Sequence, residues 1–139
     1  MLENITKVDW VALDFPEIPR LLLNLTSEEK GIRDRAYDEL YDAELPELQP
    51  KATSAIIPFL IELLRQSSVK DKDVLILLLA QISCNALAYA KQRPSRRSLK
   101  DVIDALQQGL DIYIILAREP NMFEYGSLLL TCLQDMPVL

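Results

Sequence analysis

Apolar residues recur along this chain at helical spacing, and nowhere do they alternate with polar ones as a half-buried strand requires. Ile18, Leu21, Leu22 and Leu25 fall at i, i+3, i+4 and i+7, which puts all four on one helix face. Prolines and capping residues cut the pattern into six predicted helices. The first starts near Asp14, with Pro16 in its opening turn and Glu17 completing an acidic capping box, and ends by Thr26. Thr26 with Glu29 opens the second, which runs to about Ala43 and stops ahead of Pro46 and Pro50. The third spans roughly Lys51 to Gln66. Ser68 or Asp71 caps the fourth, which reaches about Gln92, just before Pro94. The fifth runs from Ser98, with Asp101 three residues on, to Arg118; the sixth follows Pro120 and ends before Pro137. The expected class is all-α.

The ridge itself repeats. A shift of 39 lays residues 15–25 on 54–64, so that Ile18 meets Ile57, Pro19 meets Pro58, Leu21 meets Leu60, Leu22 meets Ile61 and Leu25 meets Leu64. The shared proline, in matching register inside the first turns of both helices, favours a true repeat over compositional likeness. A further shift of 53 brings a third copy, in which Leu110, Tyr113, Ile114 and Ala117 take the four positions and Asp111 stands where the proline was. Each copy is followed by a second helix. The 139 residues are then one domain of three helical hairpins, approximately 14–44, 50–92 and 98–136. A hairpin of two amphipathic helices cannot bury its apolar face alone, and stacking side by side supplies the cover. The expected architecture is a short α-α superhelix.

Ile32, Arg33, Ala36 and Leu40, followed by Ala52-Thr53, Ala55-Ile56-Ile57-Pro58-Phe59-Leu60 and Glu62-Leu63-Leu64, resemble bacterial HEAT-repeat proteins of the armadillo-like class. In that family an R-x-x-A-x-x-x-L helix precedes an A-T-x-x-A-x-P-F-L-x-x-L-L helix. Gly109-Leu110 and the Leu128-Leu129 run are similar to the family's next unit. The resemblance spans roughly residues 15–135, with its specific part in the middle. It implies a scaffold for protein–protein interaction and names no reaction.

Composition narrows the chemistry. Half the residues are apolar and 6% aromatic, so the core must be aliphatic. The absence of histidine removes histidine-dependent triads, metal ligands and proton relays. The glycines, at 31, 109 and 126, form no phosphate-cradling loop. Cys84 and Cys132 each sit alone in an apolar run, so neither a zinc site nor a disulfide framework is expected. Asp34, Asp38 and Asp42 make a carboxylate stripe four residues apart, read as a solvated face and not as a catalytic or metal site. We expect no enzyme, no cofactor and no bound metal.

Net charge is −6, which argues against nucleic-acid phosphates as a partner. The charge is uneven: residues 1–50 carry net −7 and residues 51–139 net +1. Five acids and no base lie within 38–47, and the stretch 91–100 holds five bases and no acid. The basic stretch reads as a solubilising connector, though such opposed ends would let copies meet head to tail in a homo-oligomer. Val74–Ala90 is uncharged over seventeen residues, just under the roughly 20 that a membrane span needs. We read it as a helix buried among helices. With no secretory pattern at the N-terminus, the expected location is cytoplasmic, away from membranes.

The inner helices carry the candidate site. In helical-hairpin solenoids the second helix of each unit lines the surface where partners dock. The second helix places Tyr37 and Tyr41 one turn apart, flanked by Asp34 and Asp38. The fourth is apolar but for a seam of Gln81, Asn85 and Tyr89, and Tyr125 on the sixth extends the strip. Tyrosine supplies a large contact area with a polar tip and is enriched at interface hot spots. The expected function is a non-catalytic module binding a partner protein on this concave face. One alternative is an acidic immunity-type inhibitor of a toxin enzyme, steered by charge. Another is an enzyme resembling HEAT-like DNA glycosylases, which the acidic face and the position of Trp10 outside the hairpins disfavour.

Overall fold

The apolar ridges all fall in helices. The structure is a computed structural model and describes residues 2–44, 50–92 and 97–136. Among the described residues a single 3₁₀ turn, Ile5–Lys7, precedes seven α-helices: α1 (Ile18–Asn24), α2 (Lys30–Glu44), α3 (Pro50–Arg65), α4 (Lys72–Gln92), α5 (Arg97–Gln107), α6 (Leu110–Leu116) and α7 (Phe123–Gln134). No strand occurs among the described residues, so the chain is all-α.

Two copies of the ridge behave alike. Ile18, Leu21, Leu22 and Leu25 are buried in the first, and Ile57, Leu60, Ile61 and Leu64 in the second. The third copy is different. Tyr113 and Ala117 are buried, but Leu110 and Ile114 are 42% and 41% exposed. The ridge equivalent to the first two lies instead on α5, where Leu99, Val102, Ile103 and Leu106 have the same i, i+3, i+4, i+7 spacing and are all buried. Fully burying such a side chain stabilises by roughly 1.5–3 kcal/mol, so four per ridge set the orientation of each helix. The α5 ridge lies at a shift of 42 from the second, with Lys100 at the proline position.

Other boundaries also move. The fifth predicted helix, Ser98 to Arg118, is two helices that part at Gln108-Gly109. The ring of Tyr113 folds back over Gly109 so closely that an added Cβ there would lie 2.6 Å from Tyr113 Cζ. A second close approach joins α6 to α7, where a Cβ on Gly126 would lie 2.7 Å from Ala117 Cβ. Asp14 does not cap α1. It adopts a left-handed φ of 64°, which aspartate tolerates, and α1 begins four residues later with Pro19 in its first turn. Thr26 closes α1, its hydroxyl donating to Leu23 O at 2.6 Å, and Ser27 Oγ accepts from Glu29 N ahead of α2. Pro58 lies deep inside α3 and not in its first turn; it is exposed, so its missing N–H and the carbonyl it bypasses face outward. The Ser98 side chain, the centre of the basic stretch (93–96) and part of the acidic one (45–49) lie outside the described residues.

Packing is most extensive between α4 and α7 and between α3 and α5. Neighbouring helices also pack as α1 with α2, α3 with α4 and α6 with α7, and α4 also meets α2 and α5. By length and composition α4 alone among the described helices could cross a bilayer, yet half of its most apolar window is buried inside the protein. The N-terminal segment is structural too. Trp10, expected to lie outside the hairpins, is buried with its ring 5.9 Å from that of Phe59 on α3, and its indole N–H donates to Ile5 O at 2.8 Å. The Leu2 amide donates to Glu62 Oε1 on α3, also at 2.8 Å.

Two arginines strap the helices together. Arg33 on α2 is only 8% exposed; its Nε donates to Asp71 Oδ2 at 2.7 Å and its Nη1 to the carbonyls of Ser27 and Glu28. Asp71, at a left-handed φ of 57°, immediately precedes α4, so the pair ties the start of α2 to the start of α4. Arg65, ending α3, grips both carboxylate oxygens of Asp111 at 2.8 and 2.9 Å and also donates to Gln108 O.

Replacing Arg33 by Met should cost about 2–3 kcal/mol, since it orphans two carbonyls and a part-buried carboxylate. Chemical denaturation gives the value, and a loss under 0.5 kcal/mol, within the roughly ±0.5 kcal/mol usual for surface changes, would contradict the strap. The Arg65 hydrogen bonds hold the Asp111 carboxyl at about 2, against an ordinary 3.8. Its contribution is therefore complete above pH 4 and lost as pH falls toward 2. Asp111→Asn should flatten stability against pH in that window and leave the slope above pH 5 unchanged, as denaturation at a series of pH values reads directly.

Candidate functional site

On α2 the inward ridge is Arg33, Ala36 and Leu40, all buried. Helical geometry sets Tyr37 and Tyr41 beside that ridge and Asp34 and Asp38 farther round, toward solvent. The structure agrees: Tyr37 is half-buried, Tyr41 more open, and both aspartates are exposed. The two tyrosine rings lie 6.2 Å apart at 46°. Lys30 Nζ neutralises Asp34 at 2.7 Å, whereas Asp38 makes no ion pair among the described residues.

The Tyr37 hydroxyl is pushed up to about 12, first by burial and then by Tyr41, Asp38 and Tyr125. Tyr125, on α7, is therefore within electrostatic reach of Tyr37 on α2. Of the expected tyrosines, Tyr37 and Tyr41 form a ring pair on α2, and Tyr125 is half-buried on α7. Each tyrosine offers an aromatic face, an O–H donor and an acceptor oxygen.

The α4 seam divides. Gln81, Asn85 and Tyr89 are all half-buried, as positions i, i+4 and i+8 on a helix packed from several sides should be. Asn85 and Tyr89 are engaged within the chain. Gln81 Oε1 is buried without a hydrogen-bond partner among the described residues. Tyr89 turns to a different opening, a cleft of about 340 Å³ lined by Leu13 and Asp14 from the N-terminal segment and Pro50, Lys51 and Ala52 from α3. The strip expected as one surface is thus a tyrosine pair on α2 with Asp38 beside it, a half-sealed amide on α4, and a separate cleft at Tyr89.

Two features escaped the sequence. Cys84 and Cys132 do not sit alone: their sulfurs are 2.9 Å apart across α4 and α7, as free thiols. Both lie in apolar runs of helices that follow the repeated ridge, and that shared position was the available signal. Tyr113, taken as a ridge residue only, buries a hydroxyl that finds no partner among the described residues, and burial drives it well above the ordinary tyrosine range. Among the described residues no group of three or more histidine, cysteine, aspartate or glutamate side chains could hold a metal ion.

Compared with protein-family models, with curated proteins and with solved structures, the chain matches none. The functional reading rests on the geometry above.

A buried acceptor left unpaired costs about 1–3 kcal/mol relative to an apolar group of similar shape. Gln81→Met should accordingly raise unfolding stability by about 1 kcal/mol in urea denaturation. A marked loss instead would show that the amide is bonded in solution.

Proposed function

We propose that this chain is a non-catalytic interaction module that holds a partner protein against the face formed by α2, α4 and α7. The observation that carries the reading is the ring pair of Tyr37 and Tyr41 on α2, bordered by the exposed carboxylate of Asp38. Half-buried tyrosines keep their rings ordered before a partner arrives, which lowers the entropy lost on binding. Their faces and the adjacent carboxylate suit an arginine- or lysine-bearing segment, through cation–π contact and charge.

The architecture proposed with it is a stack of three HEAT-like hairpins: α1 with α2, α3 with α4, and α5–α6 with α7. Support comes from the ridge recurring on α1, α3 and α5 and from the packing of α3 on α5 and of α4 on α7. In such a stack α2, α4 and α7 are the second helices, which form the inner wall. The bacterial HEAT-repeat resemblance and a cytoplasmic setting belong to the same proposal.

A second reading has its own observation. Asp34, Asp38, Glu39 and Asp42 lie exposed along α2, within a first fifty residues of net −7. That surface suits electrostatically steered capture of a cationic enzyme, as an immunity-type inhibitor requires. The DNA-glycosylase alternative loses ground, since Trp10 is committed to packing on Phe59.

Quantitative affinity capture with the wild type and the double variant Tyr37→Ala/Tyr41→Ala decides the matter. A bound protein should be retained by the wild type and depleted about 30-fold or more by the variant, the size expected for hot-spot tyrosines. Circular dichroism should show unchanged helicity. Partners indifferent to the substitutions would reject the site. A partner whose release by salt is steep, and which is a basic enzyme silenced on binding, would select the inhibitor reading.

A further inference from the structure

The two cysteines occupy the most extensively packed helix pair in the fold. Cys84 is half-buried near the middle of α4, and Cys132 is buried near the end of α7. Their sulfurs lie 2.9 Å apart, although 48 residues separate them in sequence. A disulfide bond length of about 2.05 Å leaves less than about 1 Å to close, a distance that χ1 adjustments cover without moving the backbone far. Burial pushes the Cys132 thiol up to about 12, while the neighbouring thiol of Cys84 is the more accessible of the two.

We propose that Cys84 and Cys132 form a redox couple that a hydroperoxide converts into a disulfide joining α4 to α7, and that small thiols reverse. The asymmetry in access orders the steps. The Cys84 thiol loses its proton to water, and its sulfur attacks the terminal peroxide oxygen. The O–O bond breaks, the departing oxygen takes up a proton as alcohol or water, and Cys84 is left as sulfenic acid. The Cys132 sulfur then attacks the Cys84 sulfur. The S–O bond breaks, and the leaving hydroxide takes the Cys132 proton and departs as water. One peroxide has been reduced by two electrons and two thiols oxidised to one disulfide. Because the Cys132 sulfur is already in contact, the second step outruns further oxidation of the sulfenic acid. In reversal, a small thiolate attacks the Cys84 sulfur and releases Cys132, and a second thiol frees Cys84 with formation of the small-molecule disulfide.

The bond falls where it bears on the candidate face. Cys84 adjoins Asn85 and lies one turn from Gln81, and Cys132 lies two turns along α7 from Tyr125. Oxidation would fix the spacing of α4 and α7 and with it the wall that carries those residues.

The test treats the full chain with hydrogen peroxide, unfolds it, alkylates the remaining thiols and measures the intact mass. Monomer that has lost two hydrogen atoms, takes up no alkylating groups, yields a linked peptide pair containing Cys84 and Cys132, and regains both thiols with dithiothreitol is the expected result. The oxidised form should melt about 10 °C higher, as closing a long loop predicts. Cys132→Ala should instead accumulate sulfenic and sulfinic acid on Cys84, whereas Cys84→Ala should leave Cys132 largely unmodified. Disulfides formed only between chains would overturn the proposal. So would over-oxidised Cys84 in wild-type protein whose Cys132 still alkylates.

Discussion

A helix as apolar as α4 has to be covered over most of its surface, and much of the chain is arranged around that demand. Its buried residues run from Leu75 to Ala90 and occupy rather more than half of the helix circumference, while the half-buried Leu77, Gln81, Cys84 and Asn85 and the exposed Ala88 share the remaining side. α7, α3, α5 and α2 supply the cover. The helices that perform this cover are short and amphipathic, each contributing one ridge, and none could stand alone in water. Polar groups on α4 are correspondingly constrained. Ser83 is fully buried and settles its hydroxyl on the Leu79 carbonyl at 2.9 Å, while Gln81 is half-sealed, its acceptor unmet among the described residues.

Charged groups then fix how the covering helices meet. Apolar ridges specify which face is inward but tolerate sliding, because dispersion and burial are non-directional. Arg33 and Arg65 supply direction. Each reaches from one helix to a corner next to another and binds carbonyls as well as a carboxylate. Both therefore read backbone position and not merely charge. At the Gln108-Gly109 corner that Arg65 grips, Tyr113 fills the space over the glycine, so a hydrogen-bond clamp and a steric fit coincide at one break in the chain.

Period and punctuation made the helical class legible, along with four helices close to their observed extents and the inward side of α1 and α3. The third ridge was misplaced because Leu110, Ile114 and Ile115 make 109–117 the greasier segment, whereas α5 mixes its ridge with Lys100, Asp101 and Asp104. Hydrophobic density drew the alignment away from spacing, and spacing was the physical signal. The break at Gly109 depends on a ring four residues away and has no local signature beyond the glycine. Tyr37 and Tyr41 were legible from their one-turn spacing on α2, whereas the influence of Tyr125 on the Tyr37 hydroxyl depends on how the chain arranges α2 and α7. The Cys84–Cys132 contact and the burial of Trp10 are long-range facts of the same kind, which no single-helix pattern encodes.

The way the N-terminal segment lies across α3 has a consequence for how the fold comes apart. In a linear array of helix pairs the terminal unit touches a single neighbour and is the first to fray. Here Trp10 rests on Phe59, and the Leu2 amide is tied to Glu62, both on α3. Peeling α1 and α2 away would strip that covering from α3 as well. The start of the chain is thereby stitched to α3, and the protein should lose its structure as a single cooperative unit instead of unravelling from α1 and α2.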